Sequence, residues 1–130
     1  MKLGRLVNGV RNSERQVKRT AMRYFPVFLD LKDKTVVLVG GGEEALRKAR
    51  LFAKTEARIA VIAPALVDEL AAMPQVRWAA RHFAPELLNG AALVCTTTPD
   101  PNVIHAATER ALPVNVVDHP ELSTFITPAI

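Results

Sequence analysis

Residues 35–52, TVVLVGGGEEALRKARLF, restrict what this chain can fold into more than any other segment. A β-branched run of strand length meets three glycines and then a stretch with the apolar period of a helix. Read as strand, tight turn and helix, it puts Gly40 at the turn and Gly42 where a backbone can approach a phosphate. The small Ala45 then falls where a helix packs against its strand. This is G-x-G-x-x-A, the dinucleotide-binding fingerprint in its Ala form. The helix adds free N–H groups and the positive end of its dipole toward a pyrophosphate. Glycine turns also join strands to helices for packing alone. Having both the strand before and the helix after favours nucleotide binding.

The rest of the chain alternates in the same way. Residues 25–31 are extended and apolar around Pro26, an edge strand or a lead-in. A turn at Asp33 and Lys34 opens the strand over residues 35–39. The helix is expected over 43–54, with Ala45, Leu46, Ala49, Phe52 and Ala53 on its inner face. Further strands are predicted over 58–63, 76–80, 92–97 and 114–117. Between them come a short helix from Pro64 to about Met73, a loop or helical turn over 83–88, and a helix over 102–111 stopped by Pro113. Strands alternating with helices predict an α/β, Rossmann-like fold, a mainly parallel sheet with helices on both faces.

Composition bounds the function. One domain of roughly 100–150 residues accounts for a chain of 130. No apolar run approaches the roughly 18 residues of a membrane span. The single Cys95 excludes a disulfide framework, and with no secretory apolar region the expected setting is the cytoplasm. The net charge of +4 is concentrated at one end. Residues 1–21 hold six basic side chains against Glu14 alone, which leaves the remainder at −1. The globular part therefore has no nucleic-acid signature. The arm reads as a poorly ordered extension ahead of a domain over residues 22–130, with a phosphate-contacting tail or a transit-like peptide as the other readings.

Placed on this frame, four loops of special composition share the carboxyl edge of the sheet, where open α/β sheets bind ligands. Gly40, Gly41 and Gly42 follow the first strand, Pro64 and Ala65 the second, Thr97 and Thr98 the fourth, and Asp118 the fifth. The second strand lacks the acid that would meet a ribose 2′-hydroxyl, and no Arg stands there for a 2′-phosphate. The residues alone leave NAD and NADP both open.

The stretches YFPVFLDLKDKTVVLVGGGEEALRKARL, ARIAVIAP, LVCTTTPDP and VNVVDHPELSTFITPAI resemble the NAD-binding domain of siroheme synthase, a family of precorrin-2 dehydrogenases of which some are also sirohydrochlorin ferrochelatases. The resemblance runs from Met22 to Ile130. It implies NAD-dependent dehydrogenation of precorrin-2, with Asp118 as the catalytic carboxylate. It implies cofactor contacts from Gly40, Gly41, Gly42, Glu43, Glu44, Pro64 and Ala65, and from Thr97 and Thr98 near the nicotinamide. It also implies a homodimer in a full-length form, with Fe²⁺ as substrate where chelation occurs. Glu44 departs from the family's usual apolar residue. The family continues past P-A-I with a dimerisation segment and a helical region that build much of the tetrapyrrole cleft. These 130 residues alone are accordingly expected to be inactive or nearly so on precorrin-2. A non-catalytic nucleotide-binding module is the alternative.

A free aspartate is a weak base, so burial or apolar walls are expected to raise Asp118 toward that task. A cap or turn residue before Pro120 is the lesser alternative reading of it from sequence alone. His82, His105 and His119 have no metal-ligand spacing, and no metal site is expected. Cys95 is expected as a buried, inert thiol, Asn115 as a partner for a neighbouring loop, and Trp78 as core filling. Arg47 and Lys48 are expected on a solvated helix face, and Phe125, Ile126 and Ile130 as partly uncovered.

Overall fold

Val36 and Leu38 face one side of strand β1 (Thr35–Val39) and Val37 faces the other, and all three are buried. Burial on both faces is what a continuous β-branched run requires of a central parallel strand. The computed structural model describes residues 22–128. Helix α1 (Glu43–Phe52) follows, then β2 (Arg58–Ile62), α2 (Asp68–Ala71), β3 (Val76–Ala80), β4 (Ala91–Thr96), α3 (Pro101–Glu109) and β5 (Val114–Val116). Single 3₁₀ turns stand at Pro85–Leu88 and Pro120–Leu122.

The five strands form one sheet in the order β3-β2-β1-β4-β5, and every pairing is parallel. The chain moves outward from β1 to β3, then returns to lay β4 on the other side of β1. Loops leaving β1 and β4 therefore diverge, and a crevice opens between their carboxyl ends. Ala45, Leu46, Ala49 and Phe52 of α1 and Leu70 of α2 pack on one face of the sheet. Val103, Ala106 and Ala107 of α3 and Leu88 of the first 3₁₀ turn pack on the other. The expected sheet with helices on both faces is what the chain adopts.

Several boundaries differ for local reasons. The α3 helix starts at Pro101, because the Asp100 side chain accepts the Asn102 N–H at 2.9 Å as an N-cap. It ends early at a left-handed Ala111 (φ 53°), where Leu112 N–H bonds the Ala107 carbonyl and Ala111 N–H the Thr108 carbonyl, a Schellman stop. Residues 25–31 join no ladder and serve as a lead-in, with Leu31 alone buried and Phe25 and Phe28 exposed. Trp78 is 43% exposed, so it does not fill the core. Residues 1–21 and Ile130, which carried the expectations about the basic arm and part of the apolar end, lie outside the described residues.

Candidate functional site

At the carboxyl ends of β1, β2 and β4 lies a cavity of about 460 Å³. Gly40, Gly41 and Gly42 form one wall, residues 62–67 a second, and Thr97 and Thr98 the third. The expected helix from Pro64 is absent there. The chain crosses the glycine turn instead, with Val67 N–H bonded to the Gly41 carbonyl at 2.8 Å, and turns helical only at Asp68. That cross-link holds the segment extended, since Val67 has φ −62° and ψ 149°.

The three glycines are needed for different reasons. Gly40 has φ 138°, a conformation that side chains disfavour, and a methyl group on it would lie 2.3 Å from Thr97 Oγ1. A methyl group on Gly41 would lie 1.9 Å from the Ala65 carbonyl oxygen, so that two backbones touch there. Gly42 is unlike both. Its φ of −96° suits any residue, and nothing lies within 4 Å of where a side chain would start. The protein's own packing makes no demand for glycine at this position.

Gly42 also caps α1, with no side chain bonded to the free N–H groups of the first turn. Glu43 is exposed and Glu44 half-buried in that turn, and neither lines the cavity. Thr97 fastens the β4 loop to β1, its N–H and Oγ1 both donating to the Val39 carbonyl at 3.0 and 3.2 Å. Pro64, Ala65 and Thr98 line the cavity.

A further residue belongs to this corner. Arg81 follows β3, and its Nη1 donates to the Pro64 carbonyl at 2.9 Å. Its guanidinium carbon lies 5.1 Å from the centre of the Trp78 ring, and Trp78 Nε1 donates to the Ala63 carbonyl at 3.0 Å. The end of the second strand carries no cation of its own in the sequence. The sheet order brings this one from the end of β3, which lies beside β2.

Asp118 stands on the same edge, in the turn after β5, but outside the residues that line the cavity. It is exposed, so the expected burial is not found. A short β5 that ends against β4, with Val117 N–H on the Thr96 carbonyl at 3.0 Å, leaves the turn at the sheet's rim. Asp118 has φ 64°, a left-handed conformation that aspartate enters at low cost. Beside it His119 Nδ1 lies 3.0 Å from Glu121 Oε2, and that hydrogen bond holds the Glu121 carboxyl below its ordinary value.

Beneath the edge, Cys95 is fully buried, and burial pushes its thiol up to about 12. Its Sγ donates to Asn115 Oδ1 at 3.6 Å, and Asn115 Nδ2 donates to the Phe125 carbonyl at 3.1 Å, so both residues hold the positions expected of them. Lys48 departs from expectation. It is half-buried and donates to Thr127 Oγ1 at 2.8 Å, tying the end of the chain to α1, whereas Arg47 is exposed. Phe125 packs partly against the α1 side of the sheet and Ile126 is exposed.

A parallel sheet reversing its order between β1 and β4, with a glycine turn at that point, defines an α/β domain of the Rossmann-like, NAD(P)-binding class. The family model described as "Putative NAD(P)-binding" matches residues 27–129. The chain belongs to the family of NAD(P)-binding domains shared by siroheme synthases and precorrin-2 dehydrogenase. It is 45% identical over 116 residues to siroheme synthase 1 of Pectobacterium atrosepticum, covering 84% of this chain and 24% of that protein. Siroheme synthase of Nitrosomonas europaea is 44% identical over 117 residues, covering 84% and 25%. The chain thus spans about a quarter of the length of these curated relatives. Among solved structures, SirC, a precorrin-2 dehydrogenase, superposes with a TM-score of 0.67 at 28% identity, covering 82% of this chain and 55% of that one. No described helix is long and apolar enough to cross a membrane.

Proposed function

We propose that this chain binds a nicotinamide dinucleotide in the glycine-walled cavity and serves the dehydrogenation of precorrin-2 to sirohydrochlorin, with NAD as the acceptor that the family resemblance implies. The observation that carries the reading is Gly42, a glycine that the fold does not need and that faces open space at the cap of α1. A ligand approaching the backbone supplies the missing reason for it. The cavity offers Gly40, Gly41 and Gly42 to the pyrophosphate, the Pro64 and Ala65 side to the adenosine half, and Thr97 and Thr98 to the nicotinamide half. Glu43 and Glu44 would act through their backbone N–H groups, their carboxylates lying off the cavity.

The bound dinucleotide supplies a hydride acceptor. The chain's share is then orientation and proton removal. Thr97 is fixed to the Val39 carbonyl and so holds its loop at a set distance from the glycine turn. Asp118, on the rim of the same edge, is the carboxylate assigned to take the proton that the reduced tetrapyrrole loses along with the hydride. Where chelation accompanies oxidation, the same carboxylate would accept pyrrole protons as substrate Fe²⁺ enters. Homodimer formation, a place in the cytoplasm and a domain starting at residue 22 belong to the same reading.

A second reading is favoured by one specific observation. Asp118 is exposed and outside the cavity. A nucleotide-binding module with no oxidation of its own fits that arrangement. Two measurements decide. Calorimetry with NAD on Gly42→Val is expected to show binding weakened at least about tenfold, since a branched side chain would fill the phosphate approach; unchanged affinity removes the site. An assay of precorrin-2 oxidation, followed by the absorbance of reduced cofactor, separates the dehydrogenase from the module.

A further inference from the structure

Ahead of β1, five large apolar side chains stand in water within the eight residues 22–29. Phe25 is 84% exposed and Phe28 wholly so, and Met22, Val27 and Leu29 are each more than half exposed. A single exposed apolar residue needs no explanation, but a contiguous set marks a surface that something covers. The described fold leaves it bare. Residues 25–31 join no ladder, Pro26 has no N–H to offer one, and only Leu31 reaches the core. The segment is rooted at the amino ends of the strands, where Lys34 N–H bonds the Leu31 carbonyl at 3.0 Å and Asp33 N–H the Glu56 carbonyl at 3.3 Å. None of its residues lines the cavity, which opens at the carboxyl ends.

Charge narrows what can cover it. From Arg15 to Leu29 the chain holds Arg15, Lys18, Arg19 and Arg23 and no acid. With Lys2, Arg5 and Arg11 upstream, residues 1–29 carry seven basic side chains against Glu14 alone, a net of +6. At the join, the Arg23 guanidinium carbon lies 5.3 Å from the centre of the Tyr24 ring. A second copy is a poor occupant, because pairing these surfaces would bring two runs of one sign together, and residues 30–130 answer them with a net of only −2. Nucleic acid would account for the charge but would leave Met22, Val27 and Leu29 in water, and residues 1–21 have no aromatic side chain for base stacking. An anionic bilayer meets both features. Its phosphate headgroups take the cations, and its acyl boundary takes the apolar side chains. Stable attachment takes two such signals, and here they are adjacent in sequence.

We propose that residues 22–29 and the basic run before them rest this domain on an anionic phospholipid surface. The inference stands apart from the reading of the cavity. The test is vesicle flotation of the full chain, with phosphatidylcholine alone and with an equal mixture of phosphatidylcholine and phosphatidylglycerol. Binding to the mixed vesicles is expected to be at least about tenfold tighter and to weaken steeply with added salt. Two double variants divide the signals. Phe25→Ser with Phe28→Ser should cost at least about tenfold in partitioning onto the mixed vesicles. Both rings are exposed, so the unfolding midpoint of that variant should match the parent. Lys18→Glu with Arg19→Glu should cost as much and shrink the preference for phosphatidylglycerol to within about threefold.

Equal partitioning onto the two kinds of vesicle, no binding to either, or binding that survives loss of both rings overturns the proposal. Sedimentation that finds a dimer in the parent and a monomer in the Phe25→Ser, Phe28→Ser variant gives the surface to a second copy and overturns it too. So does a single-stranded oligonucleotide that displaces the vesicles and binds that variant as tightly as the parent. None of these results touches the nucleotide site, which calorimetry with NAD reads separately.

Discussion

The two ends of the carboxyl edge are made of different material. Around β1 and β2 main chain meets main chain: the Gly41 carbonyl takes the Val67 N–H, the Ala65 oxygen sits under Gly41, and Gly40 leaves room for Thr97. At β5 the carboxylate proposed as the base is one exposed side chain in a turn, Asp118. The difference is one of tolerance. A cradle built from backbone contacts has no slack, so one methyl group disturbs it and the fold together. A side chain on a turn can be exchanged with the fold left alone, and any function it has is therefore separable from stability.

The sharpest test of that contrast is Asp118→Asn, made in the chain joined to the downstream segments of a siroheme synthase relative. Oxidation of precorrin-2 is expected to fall about 10²- to 10⁴-fold, the range for losing a general base. Calorimetric affinity for the dinucleotide and the unfolding midpoint should both stay put. Activity within a fewfold of the parent removes the carboxylate from the mechanism.

Next in size is a pair of glycine substitutions that should split. Gly41→Ala drives a methyl group into the Ala65 carbonyl, and urea unfolding should show a loss of about 2–4 kcal/mol. Gly42→Val meets nothing in the fold, so the same measurement should show no more than about 1 kcal/mol, the effect of a poorer N-cap. Equal losses at the two positions would erase the distinction between a glycine required by packing and one left for a ligand.

A smaller effect tests the layer beneath the edge. Burial raises the Cys95 thiol from 9.0 to about 12, so it stays neutral in the fold at pH values where the unfolded chain ionises. Its contribution to stability is complete below pH 9.0 and lost as pH rises through about 12. Over that window the parent should lose up to about 1.4 kcal/mol per pH unit more than Cys95→Ala, read as the difference between two unfolding curves. Parallel curves would mean that the thiol is solvated.

The smallest expected change lies away from the edge. A chain beginning at Met22 should unfold within about 4 °C of the full chain, corresponding to less than about 1 kcal/mol. A larger drop would show that the basic arm packs on the domain.

Sequence alone carried the fold class, because it is written in local period: β-branched runs of strand length, a helix with apolar residues at 45, 46, 49 and 52, and breakers between them. The bounds of β1 and β3 follow from the same signal and match residue for residue. Helix ends were less legible. The stop of α3 depends on a left-handed Ala111, ahead of the Pro113 that sequence names as the stop, and the delay of α2 depends on a bond from Val67 to a glycine on another loop.

The site divides along the same line. That Gly40, Gly41 and Gly42 mark a turn, that Thr97 and Asp118 follow strands, and that β2 lacks an acid are facts of sequence order. Which glycine serves packing and which is left for a ligand, that Trp78 turns outward, that Asp118 is exposed beside the cavity and not within it, and that Arg81 reaches the Pro64 carbonyl were decided by tertiary structure. The reason is physical: local propensity acts over a few residues along the chain, whereas these features depend on which strand lies beside which. Only the sheet order β3-β2-β1-β4-β5 brings residues 63–67, 78 and 81 to one corner.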